Sequence, residues 1–234
     1  MSDSATTSRP LFSVTSSQRV FDGAVTAVRI DDVVMPDGNT AKREVVEHDN
    51  AVAIVALDST GGAASDSAHD QDPKVILIEQ YRHPLGRRLW ELPAGLIDVD
   101  GEGAQQTAAR ELVEETGYAA ANGSVLVDVA PSPGFSEEIV RIFLATDLTQ
   151  VGRPHPGDDE EAELRVVLVP LSTAVRAVLD GRIVNGMAVS GILAAERTLN
   201  KGPVERTHTG DLPWTSATGT DIPGAPPLAG SEDR

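Results

Sequence analysis

Gly95–Tyr118 reads GLIDVDGEGAQQTAARELVEETGY. Its second half, Ala104–Thr116, has helical composition, and Gly117 behind it is a stop signal. Glu111, Glu114 and Glu115 stand at offsets of three and four. At roughly 100° per residue they share one helix face, while Ala109, Leu112 and Thr116 form a neighbouring face that can pack. Like charges at this spacing repel, by a few tenths of a kcal/mol per pair. A hard divalent cation removes that penalty, because carboxylate oxygens are the ligands it prefers. A solvated acidic face is the competing reading of a bare ExxEE. The context argues against it: Arg110 precedes the first acid, Gly117 closes the helix, and Gly95 and Glu102 lie upstream.

Composition narrows the partners. The chain has 234 residues and a net charge of −17. So acidic a protein repels nucleic-acid backbones and anionic membranes, and neither is expected as a partner. It also repels a phosphate-bearing substrate, which makes bridging by a cation more necessary. There are no cysteines. That excludes disulfides, thiolate metal sites and cysteine nucleophiles, and it suits the cytoplasm. The N-terminus lacks the pattern of a signal peptide, and no apolar run is long enough to span a membrane.

Residues 1–9 are small and polar and read as disordered. Residues 10–48 carry short β-rich runs, at Phe12–Val14, Val25–Ile30 and Arg43–Glu47. Asp22-Gly23 and Asp37-Gly38 separate them, which predicts a small antiparallel sheet. Ala51–Leu57 (AVAIVAL) reads as a strand buried on both faces. Asp58–Lys74 is Gly/Ser/Asp-rich and reads as a flexible insertion between strands. Further strands are expected at Val75–Glu79, Val125–Val129, Ile139–Ala145 and Leu164–Pro170. Helices are expected at Ser172–Asp180 and within Ile183–Leu199. Between Val75–Glu79 and the acidic helix lies the densest basic and aromatic patch. It contains Arg82, Arg87, Arg88 and Trp90, and it ends at Glu91-Leu92-Pro93-Ala94-Gly95. Arginine offers planar, bidentate donors, so Arg82 foremost, then Arg87 and Arg88, are candidates for phosphate recognition. Pro93 and Gly95 predict a rigid turn with inward carbonyls. A second acidic cluster, Asp158–Glu163, reads either as a solvated loop or as the source of a general base. Residues 201–234 contain five Pro, five Gly and no periodicity, and read as a disordered tail.

The stretch resembles the Nudix box of the Nudix hydrolases. From Glu102 through Arg110-Glu111-Leu112-Val113-Glu114-Glu115-Thr116-Gly117-Tyr118 it follows that pattern in register. The departure is at the front, where six residues separate Gly95 from Glu102 instead of five. The extra residue falls in Asp98–Gly101. The segments EQYRHPLGRRLWELPAG, APSPGFSEE and GRIVNGMAVSGILA look like the ADP-ribose pyrophosphatase group in particular.

The resemblance implies an α/β (α+β) fold, a Nudix-like α/β/α sandwich with a mixed sheet over residues 49–200. It also implies a small N-terminal antiparallel sheet over residues 10–48 that pairs two chains into a homodimer. The implied reaction is hydrolysis of the pyrophosphate of ADP-ribose, a nucleoside diphosphate derivative, to AMP and ribose 5-phosphate. The implied cofactor is Mg²⁺ or Mn²⁺, two or more per site. Glu111 and Glu115 are implied as principal metal ligands, Glu114 and the carbonyl of Ala94 as further ones, and Glu102 as a support. Arg110 is implied to orient the glutamates and joins Glu114 in the catalytic set. The water-activating base is placed at Glu160, with Glu161 as the alternative. Arg82 is expected on a phosphate, Glu91 on ribose or a metal-bound water, and Phe135 in the pocket wall, with Arg88 nearby. Adenine stacking falls to Phe12 or Phe21. Rival readings are a Nudix enzyme for another nucleotide derivative, a non-catalytic ADP-ribose sensor, and a Ca²⁺-binding acidic domain.

Overall fold

The structure is a computed structural model that describes residues 12–59, 72–154 and 164–202. The expectations for residues 1–9, most of the 58–74 insertion, Asp158–Glu163 (with Glu160 and Glu161) and nearly all of the 201–234 tail lie outside the described residues.

The chain opens with a separate three-stranded antiparallel sheet of β1 (Ser13–Asp22), β2 (Ala27–Val34) and β3 (Thr40–Glu47), in that order. The two Asp-Gly signals fall at its turns. Gly23 N–H donates to Thr26 O, and Gly38 takes φ 84°, a left-handed conformation that suits glycine. β1 runs well past the predicted Phe12–Val14. Its polar TSSQR middle hides the strand, because both of its faces are exposed and no alternation is imposed on it.

The remaining strands are β4 (Ala51–Asp58), β5 (Lys74–Arg82), β6 (Arg87–Glu91), β7 (Ala94–Leu96), β8 (Tyr118–Val129), β9 (Val140–Gln150) and β10 (Arg165–Pro170). They form one mixed sheet in the order β10-β5-β4-β9-β8, with β6 on β5 and β7 on β4. β4 and β9 run parallel; the other pairs are antiparallel. Three helices complete the fold: α1 (Ala104–Thr116), α2 (Leu171–Leu179) and α3 (Gly186–Lys201). None of the described helices is long and apolar enough to cross a membrane.

The alternation along β4 explains the layers. Ala51, Ala53, Val55 and Leu57 face α2 and α3 and pack with Leu171, Ala188 and Ile192. Val52, Ile54 and Ala56 face α1 and pack with Ala108, Leu112 and Phe143. Successive side chains on a strand point to opposite faces, so an all-apolar strand needs a cover on each. The result is the expected α/β/α sandwich.

One irregularity makes the cleft. β4 and β5 pair only at Leu57–Val75 and Asp58–Lys74, then part. Past that point β7 pairs with β4 and β6 with β5. The expected rigid turn at Pro93–Gly95 is therefore, from Ala94, a three-residue strand. So short an element gives no periodicity to read. It carries Ala94 and Gly95 to the mouth of the split, directly under α1.

Candidate active site

α1 presents its acids where the box predicts. The extra residue upstream is absorbed in a turn: Gly101 has φ 82°, and Glu102 N–H donates to Val99 O. Glu102 is thereby returned to the helix. Thr107 Oγ1 donates to its Oε2 at 3.1 Å, and Arg110 Nη2 lies 3.0 Å from the same oxygen. Arg110 also reaches Glu111 Oε1 at 2.6 Å and Glu114 Oε2 at 2.9 Å. One guanidinium thus bridges three carboxylates. Its hydrogen bonds are the main reason that the Glu102 carboxyl sits below the usual carboxylate range.

Glu115 is held differently. It is buried, and its Oε2 accepts from Ala94 N–H at 2.9 Å. Glu111 lies flat against Gly95: a Cβ at that position would stand 2.1 Å from Glu111 Cδ. The backbone of Gly95 lies outside the left-handed region. What requires glycine there is the carboxylate, not the turn.

Among the described residues no three acids or imidazoles already surround one point as a ligand cage. Arg110 occupies the position where they converge. The donor set nevertheless fits a hard divalent ion. Glu111 and Glu115 press on the Ala94–Gly95 strand from one side, Glu102 and Glu114 stand beside them, and the glycine leaves a cradle that any Cβ would fill.

The cluster adjoins a cavity of about 570 Å³ at the β4–β5 split. Its wall includes Arg82 from β5, Glu91 from β6, Ala94, Gly95 and Leu96 from β7, and Ala51 and Val52 from β4. Arg82 and Glu91, both expected to contact substrate, are bonded to each other. Arg82 Nε lies 2.9 Å from Glu91 Oε1, and Nη2 lies 2.7 Å from Oε2. Glu91 is buried and Arg82 half-exposed, so the pair shows a charged face to the cavity. Asn185, Gly186 and Met187 also line it. They begin α3, and the Asn185 side chain caps it by accepting from Ala188 N–H at 3.0 Å. A helix N-terminus facing the cavity favours an anionic ligand.

The structure separates other expected residues from this group. Phe135 is exposed and outside the cavity wall, and Arg88 is exposed on β6 and likewise outside it. Phe21, exposed on β1, and Phe12, exposed just before it, do not line the cavity either. Two titratable wall residues were not among the residues expected from the sequence, His48 and Glu138. His48 Nδ1 stands 3.7 Å from Glu138 Oε1. Burial pushes the Glu138 carboxyl up, with His48 and Arg82 pulling the other way. Glu138 belongs to the SPGFSEE segment, so the signal was present. Its pairing with a histidine 90 residues earlier was not.

An α/β/α sandwich with helix carboxylates gathered against a strand, beside a cavity with a helix N-terminus in its wall, is the frame of a class of hydrolases of nucleoside diphosphate derivatives, and the family match places the chain among them. The chain belongs to the NUDIX domain family, whose sequence profile matches residues 48–186. Enzymes of that family generally depend on a divalent metal. The chain is 49% identical, over 78% of its length and 82% of the relative's, to an ADP-ribose pyrophosphatase of Mycobacterium tuberculosis. It is 34% identical to a methanol dehydrogenase activator of Bacillus methanolicus, over 75% of this chain and 88% of that one. A crystal structure of an ADP compounds hydrolase shares the fold at TM-score 0.65 and 23% identity, covering 81% of this chain and 94% of that one.

Proposed function

We propose that the protein hydrolyses the pyrophosphate of ADP-ribose, giving AMP and ribose 5-phosphate in the cytoplasm. The observation that carries this reading is the convergence of Glu102, Glu111, Glu114 and Glu115 on Arg110 and the Ala94–Gly95 strand, at the rim of a cavity that holds the Arg82–Glu91 pair. The relative at 49% identity, named as an ADP-ribose pyrophosphatase, supports the choice of substrate.

Glu111 and Glu115, with Glu114 and the Ala94 carbonyl, would hold Mg²⁺ or Mn²⁺, two or more ions, with Glu102 in support. Such ions offset phosphate charge, orient water and stabilise the leaving phosphate. Arg110 would hold the acids in place around that site. A carboxylate of the Asp158–Glu163 segment, Glu160 or alternatively Glu161, takes the proton of the attacking water. The new bond is water oxygen to phosphorus; the bond that breaks joins that phosphorus to the bridging oxygen. Arg82 meets a phosphate, with Glu91 fixing its guanidinium. The N-terminal sheet serves pairing: Phe12, Val14, Val20 and Phe21 are exposed on or beside β1, apolar side chains suited to a second copy in a homodimer.

The box handles the diphosphate and not the group appended to it, so a different nucleoside diphosphate derivative is the second reading. The test is product analysis with Mg²⁺ or Mn²⁺ over a panel of ADP-ribose, ADP-glucose, NADH, diadenosine polyphosphates and 8-oxo-dGTP. Fastest release of AMP and ribose 5-phosphate from ADP-ribose, abolished by EDTA, is the expected result. A faster substrate elsewhere in the panel moves the assignment to that compound. Tight binding of ADP-ribose without product under any metal would turn the protein into a sensor.

A further inference from the structure

Arg29 lies on β2, in the small sheet and outside the box, yet it stands at the junction between that sheet and the cavity. Its Nη1 reaches Glu47 Oε1 at 3.0 Å and Glu137 Oε2 at 3.0 Å, and its Nε reaches Asp31 Oδ2 at 3.1 Å. Asp31 is almost fully buried, which fixes the guanidinium on its own strand. Glu47 ends β3, and Glu137 belongs to the segment before β9. The two segments are also joined by backbone: Val46 N–H donates to Phe135 O at 2.7 Å, Glu137 N–H approaches Val46 O at 3.4 Å, and Val46 bridges Ser136 in parallel register.

The residue after each of these glutamates faces the other way. His48 follows Glu47 and Glu138 follows Glu137, and both of them line the cavity. That is the alternation of extended chain. Two adjacent strips therefore carry one outer pair, Glu47 and Glu137, and one inner pair, His48 and Glu138. Arg29 ties the outer pair together. Without it, Glu47 keeps Arg19 at 2.7 Å, but the link from Glu47 across to Glu137 is lost, and the strip bearing Glu138 is tied by its backbone bonds, by the Asn50 side chain at Ile139 N–H and by His48.

We propose that Arg29 is a positioning residue for the hydrolysis: by clamping Glu47 and Glu137 it sets Glu138, beside His48, in the substrate cavity. The residue acts on substrate binding and leaves the carboxylate cluster on α1 untouched. The inference rests on this cavity being the substrate site.

The test is steady-state kinetics of Arg29→Met, Arg29→Lys and Glu137→Gln, each alone and with Glu138→Gln, on the panel compound that the wild type cleaves fastest. Arg29→Met is expected to raise KM about tenfold, the effect of one charge-assisted contact, with kcat within about twofold of wild type. Arg29→Lys restores part of the loss, and Glu137→Gln acts in the same direction. In the Glu138→Gln background Arg29→Met adds little, because both changes act through one carboxylate. An unchanged KM in Arg29→Met and Glu137→Gln overturns the proposal, as does a full additional KM rise in the Glu138→Gln background. A fall in kcat and Tm at constant KM overturns it too, since a merely structural role would do that. If Arg29→Met does not fold, Glu137→Gln, which alters a half-exposed side chain, carries the same readouts. A wild type that cleaves nothing in the panel refutes the assigned function; an active wild type with variant ratios near one refutes this inference alone.

Discussion

At the residue scale the site is a balance of charge. Four carboxylates within reach of each other repel, and Arg110 offsets that by bridging Glu102, Glu111 and Glu114. Gly95 is the complementary feature, since it leaves room for Glu111. Gly95→Ala is expected to displace that carboxylate without straining the backbone, because the new methyl would stand 2.1 Å from Glu111 Cδ. Activity should fall by about 10- to 100-fold, the scale at which damage to a metal's surroundings shows. Thermal stability should stay near wild type, as α1 still packs through Leu112. A kinetic assay beside a melting curve checks both. The acids on α1 were legible in the sequence because helical spacing alone places them together. Gly95 was legible as a box position, not as a cradle, which is a contact between elements. The pairing of His48 with Glu138 was invisible for the same reason.

At the scale of elements, what the sequence showed depended on burial. β4 and α1 were read almost to the residue, since the apolar run of one and the helical period of the other are written by the core. β1, exposed on both faces, and β6 and β7, too short for a period, were missed or shortened. Yet β6 and β7 fill the split between β4 and β5 and so place Glu91 and Ala94. The packing behind them is tight. A Cβ at Gly191, in the middle of α3, would come 2.7 Å from Leu92 Cδ1 and 2.9 Å from Val55 Cγ2. Leu92 is fully buried and has no solvent to retreat to. Gly191→Ala is expected to destabilise the protein by about 1–3 kcal/mol despite the better helix propensity of alanine, as overpacking in a closed core does. A lowered urea midpoint at unchanged slope would register it; a raised midpoint would mean that α3 can shift.

At the scale of the whole molecule, an excess of acid is distributed unevenly in its consequences. The small sheet holds several carboxyls below their usual range. The Ser16 hydroxyl and then Lys42 do this for Asp32, the Ser17 hydroxyl and then Arg29 for Asp31, and Arg29 and then Arg19 for Glu47. Each has a folded pKa below the unfolded one. Each therefore contributes stability that is present at neutral pH and lost as the pH falls through about 4 and below. Glu138, raised by burial, has the opposite sign and is favoured by acid. The small sheet should loosen first on acidification, with Asp32→Asn showing a shallower loss than wild type. Hydrogen exchange compared at about pH 3.5 and pH 7, below and above the ordinary carboxylate range, would detect this. Uniform loss across both sheets would contradict it.

The claim on which everything turns is that hydrolysis runs on a divalent ion held by the box carboxylates at the Ala94–Gly95 strand. Mn²⁺ titration of wild type and Glu111→Gln, followed by electron paramagnetic resonance with hydrolysis measured on the same samples, tests it most directly. Wild-type activity should rise with Mn²⁺ occupancy and vanish on chelation, and Glu111→Gln should lose binding and turnover together. Wild-type hydrolysis that persists after complete chelation, or a Glu111→Gln protein that loses its ion and keeps its rate, would show that the chemistry lies elsewhere.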